Sequence, residues 1–253
     1  MSRVGPTVSV VVPAFNAART IEKSIESIAS QSREDWELIV VDDRSTDDTV
    51  QLATEMARYD RRIRILTLDQ NSGSPAAPRN AGVDASTGRY VAFLDADDTW
   101  APHKLDAQVS FMERSGAVLS CTAYDVVDAA GRAAGSFVPP ATAGYRELLR
   151  ANTIGCLTAM YDASRIGRRH FPRCGHEDYA LWLSILREGK IVHGLPDRLA
   201  TYRIASGSVS ANKLKVLSFY FHIYRDREGN STAASIAMCL RCAWINRNKY
   251  RRQ

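Results

Sequence analysis

Apolar residues fall first into short unbroken runs and then into helical spacing, and the two patterns alternate along the first hundred residues. Val8-Ser9-Val10-Val11-Val12 reads as a strand covered on both faces, and Ile21, Ile25, Ile28 and Ala29 recur behind it at the spacing of an amphipathic helix. Residues 38–41 make a second run, after which Asp47 stands where it can cap a helix whose inward face is Val50, Ala53, Met56 and Ala57. Residues 63–66 predict a third strand. A loop rich in Gly, Ser and Pro spans 71–78, followed by a short helix near 79–83 and a fourth strand that ends at Asp95. Strands alternating with helices predict an α/β chain with a mostly parallel sheet, helices on both faces, and ligands at the carboxyl ends of the strands.

Beyond Trp100 the rhythm loosens. Leu105, Val109 and Met112 predict another helix, 117–124 another strand, and 131–140 a loop. Leu181, Trp182, Ile185 and Leu186 share a helix that starts near Glu177, with Gly189 just past its end. Two amphipathic stretches, 213–224 and 231–250, close the chain as a helical appendage. The predicted division is 1–210 for the main domain, with halves at 1–100 and 101–210, and 211–253 for the tail.

With 253 residues, 45% of them hydrophobic, the chain can bury a full core. No run approaches the roughly 18 to 20 apolar residues needed to span a bilayer. The five cysteines are odd in number and scattered, which fits a reducing compartment, and Cys239 and Cys242 are expected to pack in a helix rather than bind metal. Charge is uneven: residues 204–253 hold nine Lys and Arg against Asp226 and Glu228, so the remaining 203 residues carry a balance of −2. A basic tail of this kind suits an anionic surface or an acidic substrate, or serves only as a solvated helix face.

Candidate chemistry lies where strands end. The first strand runs into Pro13-Ala14-Phe15-Asn16, the second into Asp42-Asp43-Arg44-Ser45 and the fourth into Asp95-Ala96-Asp97, with Asp98 behind. Two carboxylates one residue apart at a strand's end are placed to hold a divalent cation, which can neutralise a diphosphate. A crevice lined by Asp43 and Asp97, with Arg79 at a helix start, suits a nucleoside diphosphate. The glycine patterns of dinucleotide-binding and P-loop enzymes are absent.

Several motifs in order extend this reading: residues 8–16, Glu37-Leu38-Ile39-Val40-Val41-Asp42-Asp43 with Arg44-Ser45-Thr46-Asp47-Asp48-Thr49, Arg79-Asn80-Ala81-Gly82, residues 88–98, and Glu177-Asp178-Tyr179. Together they resemble the inverting family 2 glycosyltransferases over roughly residues 7–210, of the type that builds bacterial surface polysaccharides. The resemblance implies a GT-A fold with a Rossmann-like sheet. It implies that Pro13, Ala14, Asn16, Asp43, Arg79, Asp95, Ala96, Glu177 and Arg203 bind the donor, that Asp97 with Asp95 holds Mn²⁺ or Mg²⁺, and that Asp178 is the base. Asp43 would meet the uracil edge, or else only shape a turn before Ser45. Asp42 is expected to shape that turn. The family commonly has Gly where Arg44 stands. His176 is expected to be a loop residue.

The expected activity is therefore metal-dependent transfer of a sugar from a nucleotide diphosphate, UDP foremost, to a saccharide or lipid-linked saccharide. Residues 202–210 are expected either to close over the donor phosphates or to form a strand and flexible turn. Arg165, Arg168, Arg169 and Arg173 point to an anionic acceptor. The enzyme is expected in the cytoplasm, peripheral on the inner membrane where its tail meets anionic lipid, with no nucleic acid partner. A sugar-1-phosphate nucleotidylyltransferase and a non-catalytic nucleotide-sugar or membrane-binding domain remain the alternatives.

Overall fold

The computed structural model describes residues 5–204 and 213–246. Its elements are β1 (Val8–Ala14), α1 (Ile21–Ala29), β2 (Trp36–Asp42), α2 (Thr49–Tyr59), β3 (Ile63–Thr67), α3 (Ala76–Ala85), β4 (Tyr90–Phe93), β5 (Thr99–Trp100) and α4 (Lys104–Ser115). There follow β6 (Leu119–Val127), β7 (Ala133–Phe137), β8 (Thr142–Ala143), α5 (Tyr145–Leu148), β9 (Met160–Asp162), α6 (Ala163–Ile166), α7 (Glu177–Arg187), β10 (Val192–Arg203), α8 (Lys213–His222) and α9 (Thr232–Asn246).

The sheet runs β3-β2-β1-β4-β9-β6-β10-β5. Its first four strands are parallel, with Val8 opposite both Trp36 and Tyr90. Strand β1 is apolar but for the buried Ser9 because both its faces are covered: Val8, Val10 and Val12 join α1 and α4 in one core, whereas Val11 joins α3 and α7 in the other. Helix α3 approaches β1 so closely that a Cβ at Gly82 would lie 2.3 Å from Val11 Cγ1. Beyond β4 the sheet is mixed, with β9 antiparallel to both its neighbours. The chain winds β1-β2-β3 outward and then returns to place β4 on the other side of β1, so the strand order reverses between β1 and β4. That switch point opens a crevice beyond their carboxyl ends.

One expected loop contains a strand. Within 131–140, Ala133–Phe137 pairs antiparallel with β6 as a largely exposed edge. Ala, Gly and Ser carry no alternation of burial, so backbone pairing rather than side-chain pattern holds this strand. Helix α7 is buried nearly all round, with Phe93 and Phe171 around Trp182 on the sheet side and Tyr220 and Tyr224 against Tyr179 on the other. Helices α8 and α9 complete that core. Cys239 and Cys242 are buried in it, as expected of packing residues.

Candidate active site

The crevice floor is made by the turns after β1 and β2. The backbone N–H of Asn16 donates to Ser45 Oγ (2.9 Å), and Asn16 Oδ1 accepts from Thr46 N (2.8 Å). Asp42 shapes its own turn by accepting from Ser45 N at 3.2 Å, as the sequence predicts. Asp43 does something else. Its buried carboxylate accepts from Ser72 N (2.8 Å) and Ser72 Oγ (2.9 Å), fixing the 71–74 loop over the crevice. The turn role therefore belongs to Asp42 and not to Asp43.

Arg44 has φ 63°, Asn16 φ 49° and His176 φ 48°, and they are the only non-glycine residues of positive φ among the described residues. All three stand at this crevice, where backbone strain concentrates in many functional sites. Arg44 thus takes a left-handed backbone conformation that suits Gly.

After β4, Asp95 turns back to Arg79, whose Nη2 lies 2.5 Å from Asp95 Oδ1. Burial opposes the Arg79 charge, but Asp95 in contact and Asp178 nearby outweigh it and raise the guanidinium above its ordinary value. Burial pushes Asp97 up to about 6, with Asp95's charge adding. Asp98, wholly buried, is pushed well up by burial and by the charges of Asp97 and then Asp95; its Oδ1 accepts from Arg203 N (2.8 Å), and its Oδ2 has no hydrogen-bond partner. Two poorly solvated carboxyls beside the partly exposed Asp95 gather oxygen ligands of the kind a hard cation takes. Among the described residues no three His, Cys, Asp or Glu side chains cluster as ligands. A cation here would accordingly draw on Asp97 and Asp95 and take its remaining oxygens from substrate and water, the usual arrangement for Mg²⁺. The Arg203 charge lowers Asp97 and Asp98 against these effects; residues 205–210 of the expected phosphate-covering segment lie outside the described residues.

Opposite this group, Asp178 sits half-buried in the first turn of α7. Its neighbour Glu177 accepts from Ser74 Oγ at 3.0 Å. The 71–74 loop therefore links Asp43 to Glu177, since Ser72 N donates to Asp43 and Ser74 Oγ donates to Glu177. His176 Nδ1 stands 4.0 Å from Asp178 Oδ1, and its ring packs 4.9 Å from that of Tyr220. Gly175, at φ 65°, is obligatory beside it, because a Cβ there would meet the Phe219 ring at 2.4 Å.

Of the residues expected to form the site, the structure links Asn16 to Ser45 and Thr46, Asp43 to Ser72, Arg79 to Asp95 and Glu177 to Ser74. Sequence reasoning did not single out Ser72 and Ser74, whose only local signal was a Ser/Gly turn; His176, expected as a loop residue, stands just before α7 with a left-handed backbone. Of the arginines expected to face an anionic acceptor, Arg165 donates to Gly116 O, Arg168 to Ser86 and Arg169 to Glu188, while Arg165, Arg168 and Arg173 are exposed.

Known proteins place this geometry. The family model for glycosyl transferase family 2 matches residues 9–161. A Bacillus subtilis protein named as the putative teichuronic acid biosynthesis glycosyltransferase TuaG is 37% identical over 230 residues, covering 90% of this chain and 91% of its own. An Escherichia coli protein, WfgD, named UDP-Glc:alpha-D-GlcNAc-diphosphoundecaprenol beta-1,3-glucosyltransferase, is 36% identical over 227 residues, covering 89% and 88%. Among solved structures, S. aureus TarS in complex with UDP-GlcNAc superposes with a TM-score of 0.69 at 21% identity, over 96% of this chain and 72% of that one, and carries the same GT-A fold. Strand-end carboxylates, a switch-point crevice and this degree of likeness along nearly the whole chain make it a glycosyltransferase, a member of glycosyl transferase family 2.

Proposed function

We propose that this enzyme transfers a sugar from a nucleoside diphosphate donor, UDP foremost, to a saccharide carried on a lipid diphosphate, with inversion at the anomeric carbon. The observation that carries the reading is the disposition of carboxylates about Arg79: Asp95 in contact on one side, Asp178 within reach of its charge on the other. One group belongs to the leaving diphosphate and the other to the attacking hydroxyl, and an in-line displacement needs both. The relative named as using UDP-glucose and a diphosphoundecaprenol-linked sugar, at 36% identity, supports the donor and acceptor classes.

In this mechanism Asp43, with the 71–74 loop it holds, binds the base of the nucleotide, while Pro13, Ala14 and Asn16 border it through their backbone. Asp178 accepts the proton of the acceptor hydroxyl as the hydroxyl oxygen bonds to the anomeric carbon. The bond from that carbon to the diphosphate oxygen breaks, and its electron pair leaves with the nucleoside diphosphate. Asp97 and Asp95 would hold a divalent cation, which would supply charge neutralisation at the departing diphosphate. Ala96 and Glu177 keep these carboxylates in register, Arg79 orients Asp95, and Arg203 moderates the acidic charge. The site of action is the cytoplasmic face of the membrane that carries the lipid-linked acceptor.

Thermal unfolding with a panel of nucleotide sugars, with and without Mn²⁺, tests the donor assignment. Protection by UDP-sugars that grows with Mn²⁺ supports it, whereas protection by nucleoside triphosphates alone would favour nucleotidyl transfer.

A further inference from the structure

Helix α9 has two apolar faces. Ser235, Cys239 and Cys242 are buried, with Cys239 Sγ 3.9 Å from Leu217 O of α8. Small side chains let this face lie close against its neighbour. The other face carries the larger residues and is open: Ile236 is 48%, Leu240 63% and Trp244 64% exposed. Spaced four residues apart, they form one stripe along the helix.

The sequence of the tail is strongly basic. Residues 213–253 contain nine Lys and Arg, four of them in the closing sequence Arg247-Asn248-Lys249-Tyr250-Arg251-Arg252, and two acids. Both acids already have partners. Glu228 accepts from Tyr145 and Arg187 with its side chain only 4% exposed, and Asp226 pairs with His222 (2.9 Å). Among the described residues no helix is long and apolar enough to cross a membrane. Large apolar residues exposed in a tail with an excess of Lys and Arg, on a helix too short to span, are the composition of a segment that lies in the interface of an anionic bilayer.

We propose that α9 docks on an anionic lipid surface by inserting Ile236, Leu240 and Trp244 beneath the headgroups. This deepens the lipid-linked acceptor reading and supplies its geometry. Helix α8 lies between α9 and the turn before the base, with Phe219 on Gly175 and Tyr220 on His176. Docking therefore sets the turn before Asp178 behind the two helices α8 and α9, facing the same membrane that carries the acceptor.

The four tryptophans make a direct test. Trp36, Trp100 and Trp182 are 2%, 5% and 0% exposed, so a change in emission on adding vesicles reports Trp244. Phosphatidylglycerol vesicles should shift the emission to the blue and shield it from acrylamide, phosphatidylcholine vesicles should not, and Trp244→Phe should lose the signal while still sedimenting with the anionic vesicles. The combined change Ile236→Ser, Leu240→Ser and Trp244→Ser should lower the vesicle-bound fraction by about tenfold or more, with UDP protection in the absence of vesicles kept as an independent check on the catalytic fold. Unchanged emission with anionic vesicles, or equal sedimentation of parent and triple variant, overturns the proposal. So does self-association of the parent that the triple variant abolishes without any vesicle binding, which would assign the stripe to a second copy of the chain. Loss of donor protection by the parent itself would instead count against the transferase mechanism.

Discussion

Arg79 Nη2 stands 2.5 Å from Asp95 Oδ1, and the pair is lopsided: the guanidinium side chain is 7% exposed and the carboxylate 34%. The arginine depends on the aspartate more than the reverse, because an ion out of water without its counter-charge is the costlier partner. The donor-side carboxylate is thus fixed by a group in the core, over the Phe171 ring at 5.2 Å.

Asp95→Asn should accordingly lower the unfolding free energy by about 3 kcal/mol, since Arg79 stays buried without its contact charge. Adding Arg79→Met to that variant should restore most of the loss, because both polar partners are then gone. Urea unfolding of the four proteins in the cycle measures this; additive losses would show that the pair is not coupled.

Asp97 ties stability to pH. Its carboxyl lies at about 6 in the folded protein against an ordinary 3.8, from burial first and Asp95 second. The folded state therefore binds its proton more tightly than the unfolded chain does. This contribution to stability is complete below about pH 4, is lost as pH rises through about 6, and amounts to on the order of 3 kcal/mol. Thermal unfolding should show that Asp97→Asn removes this decline relative to the parent, and that Mn²⁺ stabilises the parent above pH 6 but not the variant. A parent and variant with parallel pH profiles would place the burial effect elsewhere.

Arg44 holds a left-handed backbone that suits glycine. Arg44→Gly should raise the unfolding free energy by about 0.5 to 1 kcal/mol, the relief of strain exceeding the entropy that glycine loses on folding. Denaturation midpoints decide it, and a destabilised variant would mean that the Arg44 side chain contributes more than its backbone costs.

How much of this was legible beforehand follows from which forces act locally. Strands β1, β2 and β4 announce themselves because burial on both faces demands continuous apolar runs, and the carboxylates at their ends follow from strand endings alone. Strand β7 was hidden because Ala133, Ala134, Gly135 and Ser136 have no side-chain pattern and pair through backbone groups. The Ser72 and Ser74 bridge joins residues 29 and 103 positions apart, a relation no window along the chain can contain. The tail shows the same boundary. Its apolar residues were visible, yet the face that packs is the one with Ser235, Cys239 and Cys242, because small side chains allow close approach, and the larger residues were left outside. The contacts of Arg165, Arg168 and Arg169 were hidden for a related reason, since a charge cluster in sequence does not disclose which carbonyls and carboxylates it will meet.

Asp178→Asn separates base from binding residue. The amide keeps the size of the side chain but cannot take the proton, so turnover should fall by ~10² or more with donor affinity little changed. Donor titrations and single-turnover rates read the two quantities apart; weakened donor binding at unchanged turnover would move Asp178 into the nucleotide site.

The most direct measurement is the anomeric configuration of the product, made from a UDP-α-sugar and a saccharide on a lipid diphosphate in the presence of Mn²⁺ and read by proton NMR. The mechanism built on Asp178 and Asp97 predicts a β-linked product with one UDP released per linkage, formed at a rate that collapses in Asp178→Asn. An α-linked product, or β-linked product formed by Asp178→Asn at the parent rate, would contradict it.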